Sequence, residues 1–341
     1  MISKFFCHAI LIGVFVSACH AIYQQDGKRH EAHKKWVLLA ASSKDWSNYR
    51  HQADVCHAYH LVKSHGIPEE NIITMMYDDI AHNENNPYPG KIFNAPLDRG
   101  CYLQKFLAIL SGNASGVTGG NGRVIKSTNQ DKIFVYLADH GSPGFVSFPT
   151  DELTAKKLSD TLHQMHNNKQ YSKLTFYLEA CEAGSMFQGK ILPADFEVFA
   201  MTASNPEEPS YGCYCEDHKI GTCVGDLFSV NWMADSEKHN TNSETIKDQY
   251  ETVKITQTLV VVGVMYHQID ILKKKHEHLD CHHELVHAFS RDCFSFGKNP
   301  YALKYGKVLA NFCEMGLETD SLVASLKEHC ADLDNDIEDI V

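Results

Sequence analysis

Two short stretches hold residue types that can do covalent chemistry together. Asp139-His140-Gly141 closes the apolar run Ile133–Ala138, and Glu179-Ala180-Cys181-Glu182-Ala183-Gly184 closes the run Leu174–Leu178. A thiol attacks a carbonyl carbon as thiolate, so it needs a base or a positive field nearby. Imidazole is the side chain that takes up and gives back a proton near neutral pH. If the two runs are neighbouring parallel strands, their ends bring His140 close to Cys181 across a long separation in sequence. Gly141 lets a substrate approach the backbone there. Its N–H, with that of Cys181, could stabilise an oxyanion. Either motif standing alone would read as a buried structural cysteine or a histidine closing a strand.

The elements that must position these residues are legible from periodicity. Short β-rich apolar runs occur at 36–41, 72–77, 133–138, 174–178 and 198–202. Helical-period segments separate them, at 52–65, 104–110 and 151–166. Near-continuous apolar strands alternating with helices indicate a parallel sheet covered on both faces. Such sheets carry their chemistry in loops beyond the carboxyl ends of the strands. Those loops are 42–51, 139–144, 179–185 and 203–211. After Gly225 the pattern changes: 243–253 reads as a helix, and everything from Ile255 onward is helical with four cysteines. A domain boundary is expected near Lys254.

The 31 Lys and Arg residues against 43 Asp and Glu give a formal charge of −12, which excludes a nucleic-acid partner that needs a basic face. Lys4 followed by the apolar run Phe5–Ala18, with small residues at Ala18 and Ala21, has the layout of a secretory signal peptide. No other stretch reaches membrane length; Thr258–Tyr266 breaks off after nine residues. The mature chain is therefore expected to be soluble and to meet an oxidising compartment, where most of its cysteines pair. Cys181 stands apart from the other cysteines and reads as a free thiol.

The motifs resemble one family over long, ordered blocks. Lys132–Gly144, KIFVYLADHGSPG, and Thr175–Met186, TFYLEACEAGSM, look like the histidine and cysteine motifs of the legumains, the asparaginyl endopeptidases. Asn48–Tyr59, Met75–Ala81, Thr202–Tyr211 and Gly225–Met233 continue the match in order, in wording similar to helminth haemoglobinase-type legumains. The resemblance implies an α/β, caspase-like fold with a mostly parallel sheet, followed by a small helical, disulfide-bonded prodomain. On that basis residues 1–21 are a signal peptide, 22–254 the peptidase domain and 255–341 a prodomain-like region.

Carried onto this sequence, the resemblance makes Cys181 the nucleophile, His140 its general acid/base and Asn48 the group orienting the histidine. Legumains cleave after asparagine, and after aspartate in acid. The matching pocket positions are Arg50 for the side-chain carbonyl, Glu179 and Asp226 for the amide N–H groups, and Ser210 and His51 on its wall. An amide offers one acceptor and two donors, so a pocket pairing all three rejects side chains that cannot do the same. The family's disulfide pattern implies Cys281–Cys313 and Cys293–Cys330, where the sequence alone allows three connectivities. Cys215 and Cys223 pair within their loop on the same basis, and Cys56, Cys101 and Cys213 are left without assigned partners. The C-terminal region would act as an inhibitory cap on the peptidase, and the chain would be lysosomal, vacuolar or secreted.

Two segments of the family's pattern are shorter here. Only Pro96–Tyr102 stands where a longer stretch near the cleft is usual. Val253-Lys254 runs almost directly into the prodomain-like helix, so the last strand of the sheet and the activation peptide are missing. A missing strand leaves a sheet edge open. A cap on so short a connection is expected to fall short of its usual position, so that activity would appear without cleavage at an internal asparagine. A competing motif is His283-Glu284-Leu285-Val286-His287, which spells HExxH with both histidines on one helical face. Its bland reading is a solvated helix face in a histidine-rich chain, and no metal is expected. Asn113-Ala114-Ser115 is the one N-glycosylation sequon. No cofactor is expected, since no phosphate loop, dinucleotide fingerprint or haem motif occurs. The functional alternatives are a non-catalytic binding variant and a zinc peptidase.

Overall fold

Alternation within each strand builds two separate cores. The computed structural model describes residues 33–93, 103–188, 191–215, 218–239, 244–262, 278–293, 295–297, 302–303 and 306–331. The leader, Cys101 and the shortened stretch before Leu103 lie outside them. Five strands, β1 (Lys35–Ala41), β2 (Ile72–Met75), β3 (Lys132–Ala138), β7 (Lys173–Glu179) and β8 (Val198–Thr202), form one sheet in the order β2-β1-β3-β7-β8. Every pairing in it is parallel. Successive side chains of a strand point to opposite faces. Leu38, Val135, Leu137, Phe176 and Leu178 therefore enter one core, and Val37, Leu39, Tyr136 and Tyr177 the other.

Helices seal both faces. α2 (Leu103–Leu110) and α3 (Ala155–Asn167) contribute Phe106, Leu158 and Leu162 to the first core. α1 (Tyr49–Ser64), α4 (Leu227–Lys238) and α5 (Ile246–Val262) contribute Val55, Trp232 and Val253 to the second. This is the expected fold class, a parallel sheet with helices on both faces and a helical, disulfide-bonded region after it.

One local expectation is corrected. Asp151 does not open a helix: Asp151–Thr154 is a strand, β6, pairing antiparallel with β5 (Phe145–Phe148), which pairs in turn with β4 (Gly141–Ser142). The Thr154 side chain then accepts from Lys157 N–H and starts α3. Lys254, where a domain boundary is expected, lies within α5. Among the described residues β8 is an edge strand with β7 as its partner, and four of its five residues are half-buried.

The C-terminal helices α6 (Leu279–Asp292), α7 (Gly306–Glu314) and α8 (Thr319–Ala331) are held by the disulfides Cys281–Cys313 and Cys293–Cys330. They share a third core, in which Leu285, Val286, Phe296 and Leu309 pack around Phe145 of the β5 hairpin strand. That residue ties the C-terminal helices to the loop following His140. The described residues from Lys35 onward form one compact unit. Among them no helix is long and apolar enough to cross a membrane.

Candidate active site

The ends of β1, β3, β7 and β8 converge, and each brings a different chemical group. Register pairs Ala138 with Glu179, so the chain leaves β3 and β7 side by side. Gly141 then passes so close to the next strand end that a Cβ on it would stand 2.2 Å from the Cys181 carbonyl oxygen. Glycine is required at 141 by this packing of His140's loop on Cys181's loop, a nearer cause than substrate access. After Cys181 the backbone turns sharply, with Glu182 at φ +47°. Ser204 clamps the turn: its hydroxyl accepts from Ala183 N–H at 2.9 Å and donates to the Ala180 carbonyl at 3.1 Å.

His140 has a fixed orientation and tautomer. The Asn48 side chain donates through Nδ2 to the Lys44 carbonyl at 2.8 Å. Its Oδ1 can only accept, and lies 2.8 Å from His140 Nε2, so the imidazole proton sits on Nε2. Nδ1 is left with its lone pair, the basic nitrogen. Burial, aided by the charge of Arg50, pulls the His140 pKa down to about 4, so the ring is neutral over the ordinary pH range. Cys181 is free. Its sulfur accepts from Ser210 N–H at 3.3 Å, and burial raises its pKa above the ordinary thiol value. The site therefore holds a neutral thiol and a neutral base.

Beside the sulfur lies a buried, charged pocket. Arg50 Nε donates to Asp226 Oδ1 at 2.9 Å, with Asp226 sealed and Arg50 only slightly exposed. Glu179, 1% exposed, accepts from Ser229 N–H at 3.0 Å and from Ser229 Oγ at 2.8 Å, both through Oε2. Glu179 Oε1 and Asp226 Oδ2 are buried and receive no amide, hydroxyl or ring N–H within hydrogen-bond distance. An unpaired buried oxygen costs about 1–3 kcal/mol, more when charged, and marks a place for a ligand donor. His51 is buried at the wall, bonded through Nδ1 to Ser43 at 2.6 Å and held neutral by burial. Burial, then the neighbouring Asp226, raises Glu179 to about 8.

All the residues singled out by sequence therefore meet in one place: Asn48, Arg50, His51, His140, Gly141, Glu179, Cys181, Ser210 and Asp226. Several partners were not singled out. Ser43, Asp54 and Ser229 fix the pocket from beneath, and Asp139, raised to about 7 by burial, bonds to Ser42. Asp54 carried a signal: an acid one helical turn after Arg50, on a face otherwise given to Ala53 and Val55. Elsewhere, Cys215–Cys223 is a disulfide and Cys56 and Cys213 are free. Asn113 is exposed and caps a short turn by accepting from Gly116 N–H.

The HExxH histidines are neither solvated nor part of this site. They lie on the face of α6 that packs on the β5–β6 hairpin. His283 Nδ1 is 2.7 Å from Thr154 Oγ1, and His287 Nδ1 is 3.5 and 3.6 Å from carboxylate oxygens of Asp151 and Glu152. Nor does the short junction keep the C-terminal helices from the site loops. Ser142, next to Gly141, donates to the Leu303 carbonyl at 2.8 Å, and Lys307 pairs with Glu182, next to Cys181, at 3.2 Å.

Residues 35–276 match the Peptidase C13 family and residues 254–330 the family described as Legumain, prodomain. A vacuolar-processing enzyme delta-isozyme of Arabidopsis thaliana is 46% identical over 240 residues, 64% of this chain and 51% of that one. A hemoglobinase of Schistosoma japonicum is 43% identical over 270 residues, 75% of this chain and 62% of that one. Legumain of Homo sapiens is 46% identical over 244 residues, 67% of this chain and 54% of that one. The chain thus spans between half and two thirds of the length of these relatives. A solved structure of caspase-1 from Spodoptera frugiperda aligns with a TM-score of 0.42 at 11% identity, covering 67% of this chain and 80% of that one.

Proposed function

The chain belongs to the peptidase C13 family, and we propose that it is a cysteine endopeptidase cutting on the carboxyl side of asparagine. The observation that carries the specificity is the pair of unpaired buried oxygens, Glu179 Oε1 and Asp226 Oδ2, in a pocket with one guanidinium. An asparagine side chain brings two N–H donors for those oxygens and one carbonyl for Arg50. Aspartate fits only when protonated, so its cleavage belongs to acid.

The chemistry follows from the neutral pair. His140 Nδ1 takes the Cys181 proton as the sulfur attacks the carbonyl carbon. The negative oxygen of the tetrahedral intermediate is met by the N–H groups of Gly141 and Cys181. Collapse breaks the C–N bond, and the imidazolium returns its proton to the leaving amine. Water, deprotonated by His140, then releases the acyl group. Asn48 holds the ring in the tautomer that keeps Nδ1 basic.

The C-terminal helices act as a cap, because their contacts fall on Ser142 and Glu182, two residues after His140 and one after Cys181. Peptides and proteins are the substrates, reached in the secretory pathway, in a lysosome- or vacuole-like compartment or outside the cell, with disulfides to match. The test is hydrolysis of a peptide with a single asparagine. Cys181→Ala and a thiol alkylator should each abolish it, and a metal chelator should leave it intact. Turnover that survives Cys181→Ala, or stops with the chelator, would overturn the reading. A folded chain that never cleaves at any pH would make it a non-catalytic binding variant.

A further inference from the structure

Beneath the pocket lies a third carboxyl group that the cleavage chemistry does not use. Asp54, on α1, is fully buried, and so are Glu179 and Asp226. The backbone N–H of Asp226 donates to both Asp54 oxygens, at 3.2 and 3.4 Å. The two carboxyl groups are close enough to act on each other, and Asp226 helps to hold the proton on Asp54. Three buried carboxyls thus share one guanidinium, that of Arg50, and the neighbouring His51 is neutral.

Three buried carboxylates against one cation cannot all ionise, and two neighbours among them are best accommodated with a proton on one. Asp226 is paired with Arg50, whereas the hydrogen bonds that Asp54 accepts come from the Asp226 N–H. The proton therefore sits on Asp54, and the negative charge on Asp226.

We propose, on the reading of the site given above, that Asp54 in its neutral acid form is a positioning residue of the specificity pocket. Its carbonyl oxygen accepts the Asp226 N–H, and its O–H donates to the Asp226 carboxylate. Together they aim that carboxylate at Arg50 and at the substrate amide. The groups facing Asp54 agree. Asp226 on β10 (Gly225–Asp226) and Glu179 on β7, with burial, hold its proton on, while Arg50 on its own helix opposes them more weakly. Tyr136 on β3, Cys213 on β9 (Gly212–Cys213) and Cys56 on α1 also face it, all with their protons held on by burial. When Asp54 does lose its proton, two adjacent carboxylates repel and the Asp226 carboxylate loses its aim. Recognition of asparagine should then weaken as pH rises.

The experiment compares Asp54→Asn and Asp54→Ala in the full chain, reading kcat and KM for an asparagine peptide from pH 4 to 9 beside thermal melting. An amide reproduces the acid: its oxygen accepts the N–H and its NH2 donates to Asp226, but it cannot ionise. Asp54→Asn should stay within about threefold of the unmutated chain at pH 6 and keep its KM flat to higher pH. Asp54→Ala should raise KM about tenfold or more and change kcat by less than threefold. An Asn variant that is as impaired as the Ala variant, that fails to fold, or that follows the unmutated pH profile would overturn the proposal. So would an unaffected Ala variant. If the Ala variant does not fold, the Asn profile decides alone. If the unmutated chain cleaves nothing, the reading of function fails. The affinity of Cys181→Ala for the same peptide, with and without Asp54→Asn, then tests Asp54 by itself, and no binding overturns both.

Discussion

The proposed specificity pocket and the seat of the C-terminal helices are built from different interactions. The pocket concentrates three buried carboxyls around one slightly exposed guanidinium, where each charge depends on its neighbours. The seat spreads its contacts: an apolar patch around Phe145, hydroxyl bonds at Ser142 and Thr154, and half-exposed ion pairs such as Lys307–Glu182. A recognition site that must reject near misses needs the first design, since a missing partner there leaves a buried charge unpaired. A cover that must come off suits the second, since no single contact holds it.

The largest effect should come from the pocket. Arg50→Ala removes the partner of Asp226 and of the substrate carbonyl together. About 2–5 kcal/mol of transition-state binding should be lost, roughly 30- to 5,000-fold in kcat/KM for an asparagine peptide. Unchanged discrimination between asparagine and alanine would show that the pocket is elsewhere.

On the seat, the apolar part should matter most. Leu285→Ala empties a fully buried position of the third core. It should cost the docked C-terminal helices about 2–5 kcal/mol. Hydrogen exchange in α6 and the lag before activity report that loss, and both should change together if docking and latency are one event. Because the cap contacts both catalytic loops, activity should appear only as these helices leave. The short junction by itself suggested the opposite.

For aspartate substrates the two ends of the acid range oppose each other. Cleavage should rise as pH falls toward about 4, where the substrate carboxyl takes its proton. It should fall below that, where His140, lowered to about 4, is protonated and can no longer act as a base. Asparagine substrates should show the same lower limit but no loss just above it, weakening only at higher pH as Asp54 ionises. A kcat/KM profile for each peptide checks both limbs.

The smallest effect should be that of Lys307→Ala. Lys307 is 44% exposed at its ammonium-bearing side chain, so the pair with Glu182 should hold the cap by about 0–1 kcal/mol. A large shift in the activity lag would mean that the seat also works by concentrated charge.

The strands and the catalytic ends were legible because short apolar runs and strand-end chemistry are local. The run 36–41 is apolar on both faces, as a covered parallel strand must be, and 133–138 and 174–178 run straight into the histidine and the cysteine. The hairpin Gly141–Thr154 was not legible. Phe145, Val146, Phe148 and Leu153 look like any apolar stretch, and the face they need is supplied by α3 and, for Phe145, by α6, far along the chain. The HExxH histidines misled for the same reason, since their partners, Thr154, Asp151 and Glu152, are set by that hairpin. Asp54 was readable as an acid on a buried helix face, but its tie to Asp226 needed the fold.

The central claim is that a neutral thiol–imidazole pair is fed by a pocket that reads an amide. One measurement addresses it most directly: mass-spectrometric identification of the bonds cut in a mixture of peptides differing only at the residue before the scissile bond. The account predicts cleavage after asparagine, none after alanine, leucine or lysine, aspartate joining only in acid, and no products from Cys181→Ala. Cuts distributed without regard to that residue, or products persisting with Cys181→Ala, would contradict it.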